Sequence, residues 1–126
     1  MTPFGQKIRE LRKSKKISLK KMSADLGVSS AYFSALEHGY RGQPSSGLVS
    51  QICGYFDLMW DDAEALNGIA HHSHPRVVID TAGMSVNSTL LANVLAQKIK
   101  TLDEETIEWV LAEIQSRNGL YSRPSN

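Results

Sequence analysis

Apolar residues recur with a helical period through the first half of the chain. Phe4, Ile8 and Leu11 stand at i, i+4 and i+7 and predict a helix over 3–15. Leu19, Met22 and Leu26 repeat the pattern over 18–26, behind Ser18, whose side chain can accept from the unpaired amides of a helix start. Gly27 ends that helix, because glycine reaches the left-handed conformation that a sharp exit needs. Ser29 caps a third helix, 29–38, with Phe33 and Leu36 turned inward and Gly39 closing it. The run Tyr40-Arg41-Gly42-Gln43-Pro44-Ser45 is rich in turn residues. Leu48, Val49, Ile52, Cys53 and Phe56 predict a fourth helix, with Cys53 as a buried hydrophobe. A fifth runs from Trp60 to Asn67, with Asp61, Asp62 and Glu64 near the positive end of its dipole.

The period then breaks over 68–87. Gly68 and His71-His72-Ser73-His74-Pro75 read as a linker, and the β-branched Val77, Val78 and Ile79 as a short strand. Two more helices follow. The first, 88–101, is opened by Ser88 and carries Leu91, Val94, Leu95 and Ile99 on one face. The second, about 103–117, starts either at an Asp103 cap stapled by Leu102 and Ile107 or at an overlapping Thr101–Glu104 capping box. Its stripe is Ile107, Val110, Leu111 and Ile114, Gly119 ends it, and the tail to Asn126 frays. The two stripes are expected to face each other. Trp109 lies about 200° round the helix from Ile107, outside the stripe, and so calls for a second burial surface.

Composition narrows the class. With 41% hydrophobic residues the 126-residue chain has the means for a core, and global disorder is excluded. The first residues, Met1 to Gly5, lack the charged start and apolar run of a signal peptide, and no apolar run spans a membrane. A single cysteine forms no internal disulfide. The expected location is therefore cytoplasmic. The net charge of +1 conceals two halves. Residues 1–60 hold nine Lys and Arg against four Asp and Glu, a net of +5, and residues 61–126 hold five against nine, a net of −4. The front half suits a polyanion.

The segment Ile17-Ser18-Leu19 … Leu26-Gly27-Val28-Ser29-Ser30 … Tyr32-Phe33-Ser34 … Leu36-Glu37-His38-Gly39 has the helix–glycine turn–capped helix spacing of a unit that lays its second helix in the DNA major groove. It resembles the XRE family of phage-repressor-like regulators over residues 4–66. The resemblance implies a five-helix helix-turn-helix domain over 1–68, and the residue pattern beyond it adds a linker over 69–87 with the short strand and a helical dimerisation region and tail over 88–126, an all-α fold in sum. It implies a regulator, most simply a homodimeric repressor, acting on double-stranded DNA at the nucleoid. On its residue pattern, helix 29–38 is the recognition helix, with Ser29, Ser30, Ala31, Tyr32, Ser34 and Ala35 toward the groove. Ser18, Leu19, Lys20, Lys21, Tyr40, Arg41 and Gln43 then meet the backbone, with Lys20, Lys21 and Arg41 as point charges where Leu19 replaces a frequent glutamine. Arg12 and Glu37 correspond to a structural ion pair, expected to be bidentate. Lys13, Lys15 and Lys16 are either phosphate contacts or solubilising charges.

Other chemistry finds little support. His71, His72 and His74 lack metal-ligand spacing and a cysteine partner, so no metal is expected. No phosphate loop or nucleophile–base signature is present, so neither a cofactor nor an enzyme, and no catalytic residue, is expected. Val77, Val78, Ile79 and Trp109 are the expected dimerisation residues. The competing reading is an antitoxin or phage-type switch factor, whose C-terminal helices hold a partner protein while the first domain autoregulates.

Overall fold

The computed structural model describes residues 1–118; the expected stop at Gly119 and the tail to Asn126 lie outside the described residues. Among the described residues there are seven helices and no strand: α1 (Pro3–Lys15), α2 (Leu19–Leu26), α3 (Ser30–Glu37), α4 (Ser46–Tyr55), α5 (Trp60–His71), α6 (Val86–Lys98) and α7 (Glu104–Asn118). The chain divides into two compact units, Met1–Val78 and Ile79–Asn126.

Local chemistry sets most boundaries of the first unit. Thr2, Ser18, Ser29 and Ser45 each accept a backbone amide at the start of their helix, and Pro3 occupies a first-turn position where its missing N–H costs nothing. Gly27 leaves α2 in the left-handed region, with φ 72. Apolar faces then converge on one core: Phe4 and Ile8 from α1, Met22 from α2, Phe33 and Leu36 from α3, Leu48, Val49 and Ile52 from α4, then Phe56, and Leu66 and Ala70 from α5. Cys53 is half-buried at the margin of this core, and desolvation pushes its thiol pKa up.

Helix α5 runs past the expected end at Asn67 to His71. Gly68 does not stop it, because the turn beyond carries Ile69 and Ala70 into the core, and that burial outweighs the roughly 1 kcal/mol a helical glycine costs. The expected linker is also partly built into this unit. The buried Ser73 donates to the Ile69 carbonyl (2.7 Å) and accepts from the Phe4 amide (2.8 Å), joining the end of α5 to the start of α1.

From Val77 onward the chain departs further from expectation. Val77, Val78 and Ile79 form no strand and are exposed, at 73%, 95% and 60%. A β-branched run becomes a strand only against a pairing edge, and the described residues supply none. Helix α6 starts two residues before Ser88, because Ser85 takes the cap and accepts from the Ser88 amide. Asp103 wins the start of α7, accepting from the Thr106 amide at 2.8 Å; the bonds from Thr106 hold its carboxyl below the usual aspartate pKa. The two stripes expected to bury each other are only partly covered: Leu95, Ile107 and Val110 are half-buried, but no residue of α6 is buried, and Leu91, Val94, Ile99, Leu111 and Ile114 stay exposed.

Candidate nucleic-acid interface

Helix α3 is held at both ends. At its start the Ser29 hydroxyl accepts from the Tyr32 amide at 3.1 Å. At its end the Glu37 carbonyl accepts from the amide of Thr2 at 2.9 Å and from its hydroxyl at 3.3 Å. Gly5 permits this closeness, since a Cβ there would overlap the Glu37 carbonyl oxygen and lie 2.8 Å from its Cα.

The Glu37 side chain, 2% exposed, takes two arginines, one on each oxygen: Arg12 Nη2 on Oε2 at 3.4 Å and Arg9 Nε on Oε1 at 3.9 Å. Arg12 therefore meets Glu37 through one nitrogen and does not form the expected two-pronged bond, and its buried Nε has no partner. Arg9 is the member that pairwise spacing did not reveal, although it lies one helical step from Arg12 at i, i+3.

Phe33, Leu36 and Glu37 fill the inner face of α3. Ser30 and Ala31 are exposed and Ser34 and Ala35 half-buried on the outer face; with His38 they span an arc of about 140° at 100° per residue. His38 was not anticipated as a member; it stands one turn after Ser34, and its ring Nδ1 lies 2.9 Å from the Ser34 carbonyl. Tyr32 lies about 60° beyond the arc. Over its ring, 5.6 Å from the centroid, sits the guanidinium carbon of Arg41.

The flank is basic. Arg9, Arg12, Lys13 and Lys16 line a shallow cleft of about 590 Å³ with Ile17 and Ser18, between the end of α1 and the start of α2. Lys20 is exposed and Leu19 half-buried; Ser18 spends its hydroxyl on the Lys21 amide at 3.0 Å. Lys21 is paired with Asp25 at 3.1 Å. Tyr55 also donates to Asp25, at 2.6 Å, tying α4 to α2. Tyr40 is 82% exposed, and Gln43 stands 3.5 Å from the His71 ring. Val77–Ile79 are exposed, and Trp109, on α7, is 65% exposed.

His71, His72 and His74 do not converge. His72 Nδ1 faces the Gly68 carbonyl at 3.0 Å and His74 accepts from the Arg76 amide at 3.2 Å. Among the described residues no group of three or more His, Cys, Asp and Glu is placed to hold a metal ion, and no helix is long and apolar enough to cross a membrane.

Residues 5–62 match the family described as a helix-turn-helix domain. Over 68 residues the chain is 32% identical to an uncharacterized HTH-type transcriptional regulator, RghRB, of Bacillus subtilis (strain 168), a match covering 54% of this chain. The match spans about half of that relative's own length, 49%. No solved structure matches.

Proposed function

We propose that the chain, whose residues 5–62 match a helix-turn-helix domain family, is a sequence-specific transcriptional regulator, a homodimeric repressor that inserts α3 into the major groove. The observation that carries this reading is the geometry of α3: capped at its start by Ser29 and tied at its end to Thr2, it turns Ser30, Ala31, Ser34 and Ala35 outward while Phe33 and Leu36 anchor it. A helix so fixed presents its outer face without further ordering, which lowers the entropy cost of docking.

Ser29 and Tyr32 complete the groove-side set. Ser18, Leu19, Lys20, Lys21, Tyr40 and Gln43 follow the backbone, joined by Lys13 and Lys16, whose convergence on the α1–α2 cleft favours phosphate over a merely solubilising role. Such a regulator works on the nucleoid in the cytoplasm.

Support for self-association comes from the second unit. Val86, Leu90, Leu91, Val94, Ile99, Trp109, Leu111 and Ile114 are all exposed, from 43% to 85%. So much exposed apolar surface, carried on more than one face of α6 and α7, calls for a cover. A second copy meets this requirement with no further component, and two-fold symmetry would set half-sites about one DNA turn apart.

Selection from random duplexes followed by footprinting tests the reading. The expected product is a symmetric site, with Ser30→Ala and Ser34→Ala each changing base preference at particular positions by about 1–3 kcal/mol. No enrichment, or unchanged preference in both variants, would sink the proposed register.

A further inference from the structure

We infer that Arg41, stacked on Tyr32, reads the edge of a guanine and is a principal source of sequence discrimination, in place of the phosphate contact its loop position suggests. The inference rests on the reading that α3 faces DNA.

The outer arc of α3 is chemically poor. Ala31 and Ala35 offer only methyl groups, and the Ser30 and Ser34 hydroxyls donate and accept alike, so they bond several bases with little preference. Discrimination against G·C or A·T needs a side chain with a fixed donor pattern; Ser30, Ala31, Ser34 and Ala35 supply none, and His38, the remaining member of the arc, has its ring Nδ1 at 2.9 Å from the Ser34 carbonyl, which leaves it one ring nitrogen and no two-donor fork. Tyr32 borders that arc, and Arg41 lies over its ring at 5.6 Å, within the roughly 6 Å reach of a cation–π contact.

The loop is shaped to bring Arg41 there. Gly39 and Gly42 both take left-handed conformations, with φ 87 and 77, so the chain reverses on either side of Tyr40–Arg41. The contact spans nine positions, from the loop after α3 back to its first half. Gly39 is further confined by Thr2, whose Cγ2 would lie 3.2 Å from a Cβ at that position.

The ion pairs among the described residues are Arg9–Glu37, Arg12–Glu37, Lys21–Asp25 and Arg117–Glu113, so no carboxylate there engages the Arg41 head. A ring holds a guanidinium without consuming its N–H donors. Those donors form a planar fork that matches guanine O6 and N7 in the major groove, a match that an ammonium group does not reproduce. Stacking also limits the conformations of a long side chain before DNA arrives. A phosphate contact would need only the charge.

The test compares the full-length protein with Arg41→Lys, Arg41→Ala, Tyr32→Ala and Tyr32→Phe, each checked for helicity, in site selection and in binding across a salt series. In the wild type a G·C pair is expected at one position in each half-site. Arg41→Lys should erase that preference by about tenfold to a hundredfold while keeping the salt slope. Tyr32→Ala should weaken the same preference, and Tyr32→Phe should retain it, since the ring face persists. The inference is overturned if Arg41→Lys keeps the base preference while Arg41→Ala weakens all sequences equally and flattens the log–log salt slope by about one, the signature of a phosphate ligand. It is also overturned if Arg41→Ala changes neither. A wild type that enriches no sequence at all fails the DNA-reading proposal itself, an outcome distinct from a selected site that ignores Arg41.

Discussion

Tyr55 donates to Asp25 across 2.6 Å, and each titrates away from its ordinary value because of the other. The Tyr55 bond, then Lys21, lower the Asp25 pKa from 3.8, and the Asp25 bond raises Tyr55 from 10.0. Asp25 is depressed in the folded state, so its contribution is present above 3.8 and lost as pH falls through the lower folded value. Tyr55 is raised, so its contribution is complete below 10.0 and lost as pH rises through the higher folded value. The clasp between α2 and α4 therefore holds across the neutral range and loosens at both ends. In Tyr55→Phe the Asp25 carboxyl, followed by NMR, should titrate closer to 3.8 without reaching it, because Lys21 remains. An unchanged Asp25 titration would refute the clasp.

The two arginines on Glu37 should not be equivalent. Glu37→Ala strands Arg12, whose side chain is 14% exposed, and should cost about 3–5 kcal/mol, as for a broken buried pair. Arg12→Ala leaves Arg9 within reach of the carboxylate and should cost less. Arg9 is 58% exposed, so its own coupling to Glu37 should be about 0–1 kcal/mol. Double-mutant cycles on urea unfolding separate the two couplings. Equal couplings would show that burial does not distinguish the pairs.

Two glycines should respond to alanine with opposite sign. At Gly5 the added methyl meets the Glu37 backbone, which is fixed by Thr2, so overpacking should cost about 1–3 kcal/mol or more. At Gly68, inside α5, the methyl meets nothing within 4 Å, and helix propensity should stabilise by about 0.5–1 kcal/mol. Thermal unfolding of both variants gives the comparison; a stabilising Gly5→Ala would mean that α1 and α3 are less tightly apposed.

The caps were legible in sequence because capping is local: Ser18, Ser29 and Gly27 act within three or four residues of themselves. Where two local signals competed, at Asp103 and at Thr101–Glu104, sequence alone did not choose, and the structure gives the start to Asp103. For α6 the sequence pointed to Ser88, and the structure gives the cap to Ser85, whose hydroxyl takes the Ser88 amide. Thr2, Ser73 and Tyr55 were not anticipated. Their partners lie 35, 69 and 30 residues away, and no periodicity encodes such a distance. Val77–Ile79 misled for the converse reason, because β propensity reports what a residue suits and not whether an edge is present.

The place of Ser73 decides where the first unit can be cut. A chain ending at Val78 keeps the Ser73 bonds to Phe4 and Ile69, whereas one ending at Ala70 leaves the buried Phe4 amide unpaired. The shorter chain should be less stable by at least about 1–3 kcal/mol, the cost of a buried donor without its acceptor. Urea unfolding of the two truncations is the measurement. Equal midpoints would mean that water or another group replaces the serine.

Self-association should depend on α6 more than on Trp109. The sequence alone placed Trp109 and Val77–Ile79 at the dimer contact, because α6 and α7 were expected to bury each other's stripes. With no residue of α6 buried, the larger unspent apolar surface is on that helix: Val86 at 85%, Leu90 at 58%, Leu91 at 59% and Val94 at 43%. Trp109 adds one large side chain, 65% exposed, on α7. A charge at the centre of the α6 surface should oppose pairing through unpaired desolvation, while costing the isolated chain little because the site is already in water. Leu90→Asp should therefore give a folded monomer at tens of micromolar in sedimentation, and Trp109→Ala a weakened dimer. The chain ending at Val78 should be monomeric as well, and both monomers should bind a symmetric site far more weakly than the wild type, because the second half-site no longer binds at high effective concentration. A monomeric wild type with an unrelated protein bound in equal amount would assign the same surface to a partner. A dimer untouched by Leu90→Asp would place the contact away from α6.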